Sequence, residues 1–130
     1  MKLLINSILK SFRFALDGIR FALKTQKNLH IHLTIASLVI LLSVFLHCSS
    51  IEITILLLTI VVVISLELVN TAIEATIDLV SPHSQPLAKI AKDLGAAAVL
   101  IAALCSVIIG VIILGPIIQP IFTKLFGLLF

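Results

Sequence analysis

Three long, nearly uninterrupted apolar runs, Ile31–Leu46, Ile51–Val69 and Leu94–Leu114, limit the folds open to this chain more than any other feature. The last is 21 residues long, enough for a helix to cross a bilayer, and the first is near the short end of that range. Across the 130 residues, 61% are hydrophobic and 12% charged, whereas soluble domains carry about 25% charged residues. A soluble chain of this length has too little interior to hide so much apolar surface. The expectation is an all-α membrane protein: one integral-membrane domain over residues 1–130, with an interfacial helix and three transmembrane helices.

The basic residues orient it. Lys2, Lys10, Arg13, Arg20, Lys24 and Lys27 precede the first run, Lys89 and Lys92 lie between the second and third, and only Lys124 lies beyond. The turn at His47–Ser50 has no basic residue. By the positive-inside rule, the N-terminus and the second connection belong in the cytoplasm. The net charge of +3 is too small and too scattered to suggest a nucleic-acid partner.

Before the first span, Lys10, Arg13, Asp17, Arg20 and Lys24 recur at spacings of 3, 4, 3 and 4. They form one polar stripe on a helix and break up any signal-peptide core. Ile8, Leu9, Phe12, Leu16, Ile19 and Leu23 fill much of the remainder. A mostly cationic stripe on an apolar helix fits a segment of about 7–27 lying in the membrane interface. Spans are expected at about 30–47, 51–80 and 87–114. The Ser81–Pro86 loop carries two prolines, and Gly115-Pro116 is read as the stop of the last helix. That leaves an apolar tail, 117–130, able to form a short helix on the outer face. Small residues crowd the third helix (Ala88, Ala91, Gly95, Ala96, Ala97, Ala98, Ala102, Ala103). They let helix backbones approach closely in lipid and point to a homo-oligomer. Cys48 and Cys105 fit no metal or redox spacing and read as packing residues.

One polar cluster resists explanation by solvation. Four of the six acids fall between Glu67 and Asp93. Glu67, Glu74 and Asp78 lie within about 20° of one line along a helix, with Asn70 to the side. Glu67 follows fourteen uncharged residues. A carboxylate in such a run costs about 3 kcal/mol on insertion scales unless it is paired, and intramembrane acids usually face the bundle interior and mark function. An ion pair with Lys92 is the structural alternative. Lys92 and Asp93 open the third helix opposite the stripe. A lysine beside carboxylates suits a polyphosphate arriving with a divalent cation. A helix-start Asp and a snorkelling Lys would read the same way. No glycine-rich phosphate loop is present. His30 and His32, two apart, face different sides of a helix, so a shared metal is not expected. His83 lies in the loop.

The run Glu67–Leu79 (ELVNTAIEATIDL), followed by His83–Ala103 (HSQPLAKIAKDLGAAAVLIAA), resembles the prokaryotic diacylglycerol kinase family, with a loop similar to its undecaprenol kinase branch. The resemblance covers about Ser11 to Leu114. It implies a homotrimer that phosphorylates a lipid alcohol with ATP and Mg²⁺. Carried onto matching positions, it implies Glu67 as general base, Glu74 as a metal ligand and Asn70 as an ordering residue. Lys92 and Asp93 would contact the nucleotide, His83, Ser84 and Gln85 would line it, and Arg20 would lie near the lipid headgroup. Gln26 stands where the family has a second metal-binding Glu; its amide oxygen can ligate Mg²⁺ but adds no charge. The alternative is a non-catalytic oligomer with an acid-lined cation path. No residue discriminates diacylglycerol from undecaprenol.

Overall fold

The computed structural model describes residues 1–81, 83 and 85–127, all of it helices and short joints. Four helices follow in order: α1 (Lys2–Thr25), α2 (Lys27–Phe45), α3 (Ser50–Val80) and α4 (Pro86–Phe126). The last three are long and apolar enough to cross a membrane. The chain is thus an all-helical, multi-pass membrane protein with an amphipathic helix ahead of its spans.

Each joint has a local cause. Gln26 adopts an extended conformation (φ −103°, ψ 107°) and separates α1 from α2. His30 Nε2 reaches back across this joint to donate to the Leu23 carbonyl at 2.7 Å, which fixes the angle between the two helices. Between α2 and α3 the chain reverses in four residues. His47 takes a left-handed conformation (φ 58°), its N–H bonds the Val44 carbonyl at 3.1 Å, and the Cys48 N–H bonds Ser43 O at 3.0 Å. This is the Schellman closure of a helix, with histidine where glycine is usual. Ser49 then caps α3. Its hydroxyl accepts from the Glu52 N–H, and the Glu52 carboxylate accepts from the Ser49 N–H at 2.7 Å. Replacing Ser49 by Ala removes one half of this reciprocal pair. The expected loss is about 1 kcal/mol of stability, read as a lower unfolding temperature in detergent. Cys48, inside this turn, has its thiol pushed above the ordinary range by desolvation and secondly by the Glu52 carboxylate. It is a poor source of thiolate, in keeping with a packing role.

α4 does not stop at Gly115-Pro116. It carries Pro116 and Pro120 inside and runs on to Phe126, about 62 Å of helix by its 1.5 Å rise. In water, a proline that strips a backbone hydrogen bond ends a helix because solvent takes over the freed carbonyl. In lipid no such substitute exists, and continuing the helix keeps more backbone groups paired. The described part of the apolar tail is therefore an extension of α4 rather than a separate helix.

α3 and α4 form the most extensive helix pair, α2 packs on α3, and α1 touches both α2 and α3 lightly. The interior is small. Among the described residues its apolar members are Ala22, Leu29, Leu56, Val63, Val99 and Leu114, and its polar members are Ser43, Glu67, Asn70 and Thr71. Most large aliphatic side chains of the spans are exposed, as expected where the surroundings are acyl chains. Three of the four polar interior residues fall within five positions of α3, and that segment defines the site.

Candidate active site

The site begins with one turn of α3. Glu67 is 2% exposed and Asn70 7%. Thr71, also buried, returns its hydroxyl to the Glu67 carbonyl at 2.8 Å, so it brings no unmet donor into the interior. Asn70 Nδ2 donates to Glu74 Oε1 at 3.0 Å. This bond runs from i to i+4 along one helix face and holds the carboxylate of Glu74, which is half-buried, in a set direction. A carboxylate has about four lone-pair sites, so most of its acceptor capacity stays open to a ligand.

The other charged residues pair nearer the loop. Lys92 Nζ on α4 bonds Asp78 on α3, fastening the two helices one turn beyond Glu74. Lys89 bonds Asp93 at 2.7 Å within α4. The ion pair considered for Glu67 therefore does not form with Lys92: that lysine reaches Asp78 instead, near the loop end where both groups remain partly exposed. His32 of α2 and Glu74 lie close enough to Glu67 to act on it electrostatically. His32 was not singled out by sequence. Its spacing from His30 excludes a shared metal but says nothing about which neighbouring helix it faces, and its relation to Glu67 arises only from the α2–α3 packing.

Gln85 is the N-cap residue of α4 and makes no side-chain cap bond. The exposed His83 holds the loop through its carbonyl, which accepts from Ser81 Oγ at 3.0 Å. Ser84 lies outside the described residues. Arg20 pairs with Asp17 at 3.2 Å on the exposed face of α1, and Gln26 sits half-buried at the α1–α2 joint with no side-chain capping bond. The fold thus sets Glu67, Asn70 and Glu74 along one stretch of α3, with Asn70 bonded to Glu74, and ties Lys92 to the same helix at Asp78, one turn beyond Glu74. Asp93 and Arg20 are engaged with partners on their own helices. Above this cluster an apolar cavity of about 650 Å³ runs between α2, α3 and α4, from His32 to Gln119, walled by residues such as Val63, Val107 and Leu114.

Among the described residues, no group of three or more His, Cys, Asp or Glu side chains is placed to hold a metal. A site built on one or two carboxylates still fits Mg²⁺, which commonly takes its remaining ligands from waters and substrate phosphates. The pre-oriented Glu74 carboxylate meets that requirement.

Fold and site together define an integral-membrane protein that keeps ionisable groups inside a helix bundle, the setting in which such groups serve chemistry or transport. The profile of the prokaryotic diacylglycerol kinase family matches residues 13–114. A diacylglycerol kinase of Synechocystis sp. is 44% identical over 111 residues, covering 85% of this chain and 63% of that protein. The undecaprenol kinase of Bacillus subtilis is 42% identical over 112 residues, 86% of this chain and 91% of that one. A diacylglycerol kinase of Haemophilus influenzae is 32% identical over 108 residues, 83% and 89% of the two chains. The chain belongs to the prokaryotic diacylglycerol kinase family, a family of lipid kinases.

Proposed function

We propose that this protein transfers the γ-phosphoryl group of ATP to the hydroxyl of a membrane lipid alcohol, diacylglycerol or undecaprenol, on the cytoplasmic side of a bacterial inner membrane. The observation that carries the reading is the buried Glu67 carboxyl two turns from an Asn70-held Glu74, on a helix otherwise made for lipid. Membership of the family and its relatives' names support the reaction class. The basic residues of α1 and of the first turns of α4, Lys89 and Lys92, support the orientation.

In this reading the lipid alcohol enters sideways from the bilayer and presents its hydroxyl to Glu67. Glu67 accepts the hydroxyl proton as the oxygen attacks the γ-phosphorus in line, the new O–P bond forming as the bond to the departing ADP oxygen breaks. Lys92 carries three donors. One is engaged with Asp78, which holds the ammonium in place, and the others can meet phosphate oxygens as negative charge shifts onto them. Asp93, His83, Ser84 and Gln85 border the nucleotide, and Arg20 on α1 lies at the level of the lipid headgroup. Bound Mg²⁺ would offset phosphate charge, with Glu74 and the amide of Gln26 as the residues to hold it. The thin single-chain interior and the small residues of α4 support a homo-oligomer in which neighbouring copies cover the exposed faces, and the family resemblance supports a trimer.

The test is a radiolabelled-ATP assay of purified protein against a panel of lipid alcohols. Labelled phosphatidate or undecaprenyl phosphate is the expected product. ATP-dependent labelling of neither lipid, with folded protein in Mg²⁺, would remove the proposal.

A further inference from the structure

The α3–α4 crossing contains a contact closer than any side chain would allow. Gly95 of α4 is buried and lies against the side chain of Asn70. A Cβ built on Gly95 would sit 2.3 Å from Asn70 Oδ1 and 3.3 Å from Asn70 Cγ. The next nearest atom, Ile73 Cδ1, is at an ordinary 3.8 Å. Among the described residues, Asn70 Oδ1 is also the one buried side-chain oxygen or nitrogen without a conventional hydrogen-bond partner. What faces it is the backbone carbon of Gly95, whose hydrogens can make the weak Cα–H···O contact common where helices cross closely.

The two ends of the amide are thereby distinguished. The oxygen rests on the bare glycine backbone, and Nδ2 is directed along α3 to Glu74 Oε1 at 3.0 Å. Exchanging the two ends would turn the amide oxygen towards a carboxylate oxygen and lose the bond. We infer that Gly95 is a positioning residue for the kinase reaction: by leaving room for Asn70, it sets the direction in which Glu74 presents its carboxylate to the metal-bound nucleotide. The inference rests on the assignment of Glu74 as a metal-holding carboxylate. Second-layer partners of this kind commonly change metal affinity by about 10- to 100-fold when removed.

The experiment is a double-mutant cycle on the full-length protein in detergent. Mn²⁺ serves as the probe, titrated by electron paramagnetic resonance in the presence of a non-hydrolysable ATP analogue, and thermal unfolding is followed in parallel. Gly95→Ala is expected to weaken Mn²⁺ binding about tenfold, matching Asn70→Ala. The double variant Gly95→Ala/Asn70→Ala should bind no more weakly than Asn70→Ala alone, because the atoms that a Cβ would strike are gone. A Gly95→Ala protein that binds Mn²⁺ like the wild type, an Asn70→Ala protein that does so, or additive losses in the double variant would each overturn the inference. If Gly95→Ala is too unstable to purify, the double variant decides: wild-type unfolding temperature with the affinity of Asn70→Ala upholds the inference, and any further loss of either overturns it. Glu74→Gln separates the two levels. If that variant retains full Mn²⁺ affinity, the metal assignment itself falls; if it alone weakens binding, only the role of Gly95 falls.

Discussion

Glu67→Gln is expected to lower kcat for lipid phosphorylation by about 10²- to 10⁴-fold, the contribution usual for a positioned general base. The amide has nearly the volume of the carboxyl and fits the same buried space on α3, where Glu67 is 2% exposed. Helix content and unfolding temperature should therefore change little. The effect should fall on turnover, with the KM for ATP near its original value, because the groups proposed to hold the nucleotide and its metal, Lys92 and Glu74, are untouched. The measurement is a steady-state radiolabel assay beside circular dichroism on the same preparation. Undiminished turnover in the folded variant would mean that the proton leaves by another route and that Glu67 serves packing.

The second large effect belongs to Lys92. Its ammonium bonds Asp78 across the α3–α4 pair, so two roles are available, helix fastening and phosphate binding, and they differ greatly in magnitude. An exposed ion pair is worth about 0.2–1 kcal/mol. A hydrogen bond to a charged group is worth about 1.5–3 kcal/mol, or roughly 10- to 100-fold in affinity. Lys92→Ala should accordingly raise the KM for ATP by about 10- to 100-fold. Asp78→Asn, which breaks the same ion pair but keeps the lysine, should shift it by less than about fivefold. Equal effects in the two variants would reduce Lys92 to a link between helices.

The parts of this molecule legible in sequence are those governed by a cost that acts along a single helix. Glu67 stands out because fourteen uncharged residues precede it and burying an acid in such a run demands a reason. The stripe through Glu74 and Asp78 follows from helical geometry alone, as does the cationic stripe of α1. Relations between helices were legible only as far as which end of α4 faces the stripe. Nothing in the spacing of Lys92 tells whether it reaches Glu67 or, as the structure has it, Asp78. His32 acquires meaning only where α2 lies on α3. Gly95 reads as one more small residue until the crossing places it under Asn70. The continuation of α4 through Pro116 was missed for a different reason. Gly-Pro marks a stop where a broken helix end can be solvated, and that compensation does not exist in hydrocarbon.

The make-up of the interior, with Ser43, Glu67, Asn70 and Thr71 beside only six apolar side chains among the described residues, inverts a familiar engineering rule. In an aqueous protein, trading an inward-facing hydroxyl or amide for a greasy residue of equal size often strengthens the fold, since water rewards the exchange. Here the outer environment is already oil, so the same trade gains no expulsion energy and sacrifices one of the few specific attractions that tell this bundle apart from loose helices in a bilayer. Attempts to harden this protein for biophysical work should therefore target its turns and helix ends, and leave its inward-pointing heteroatoms in place.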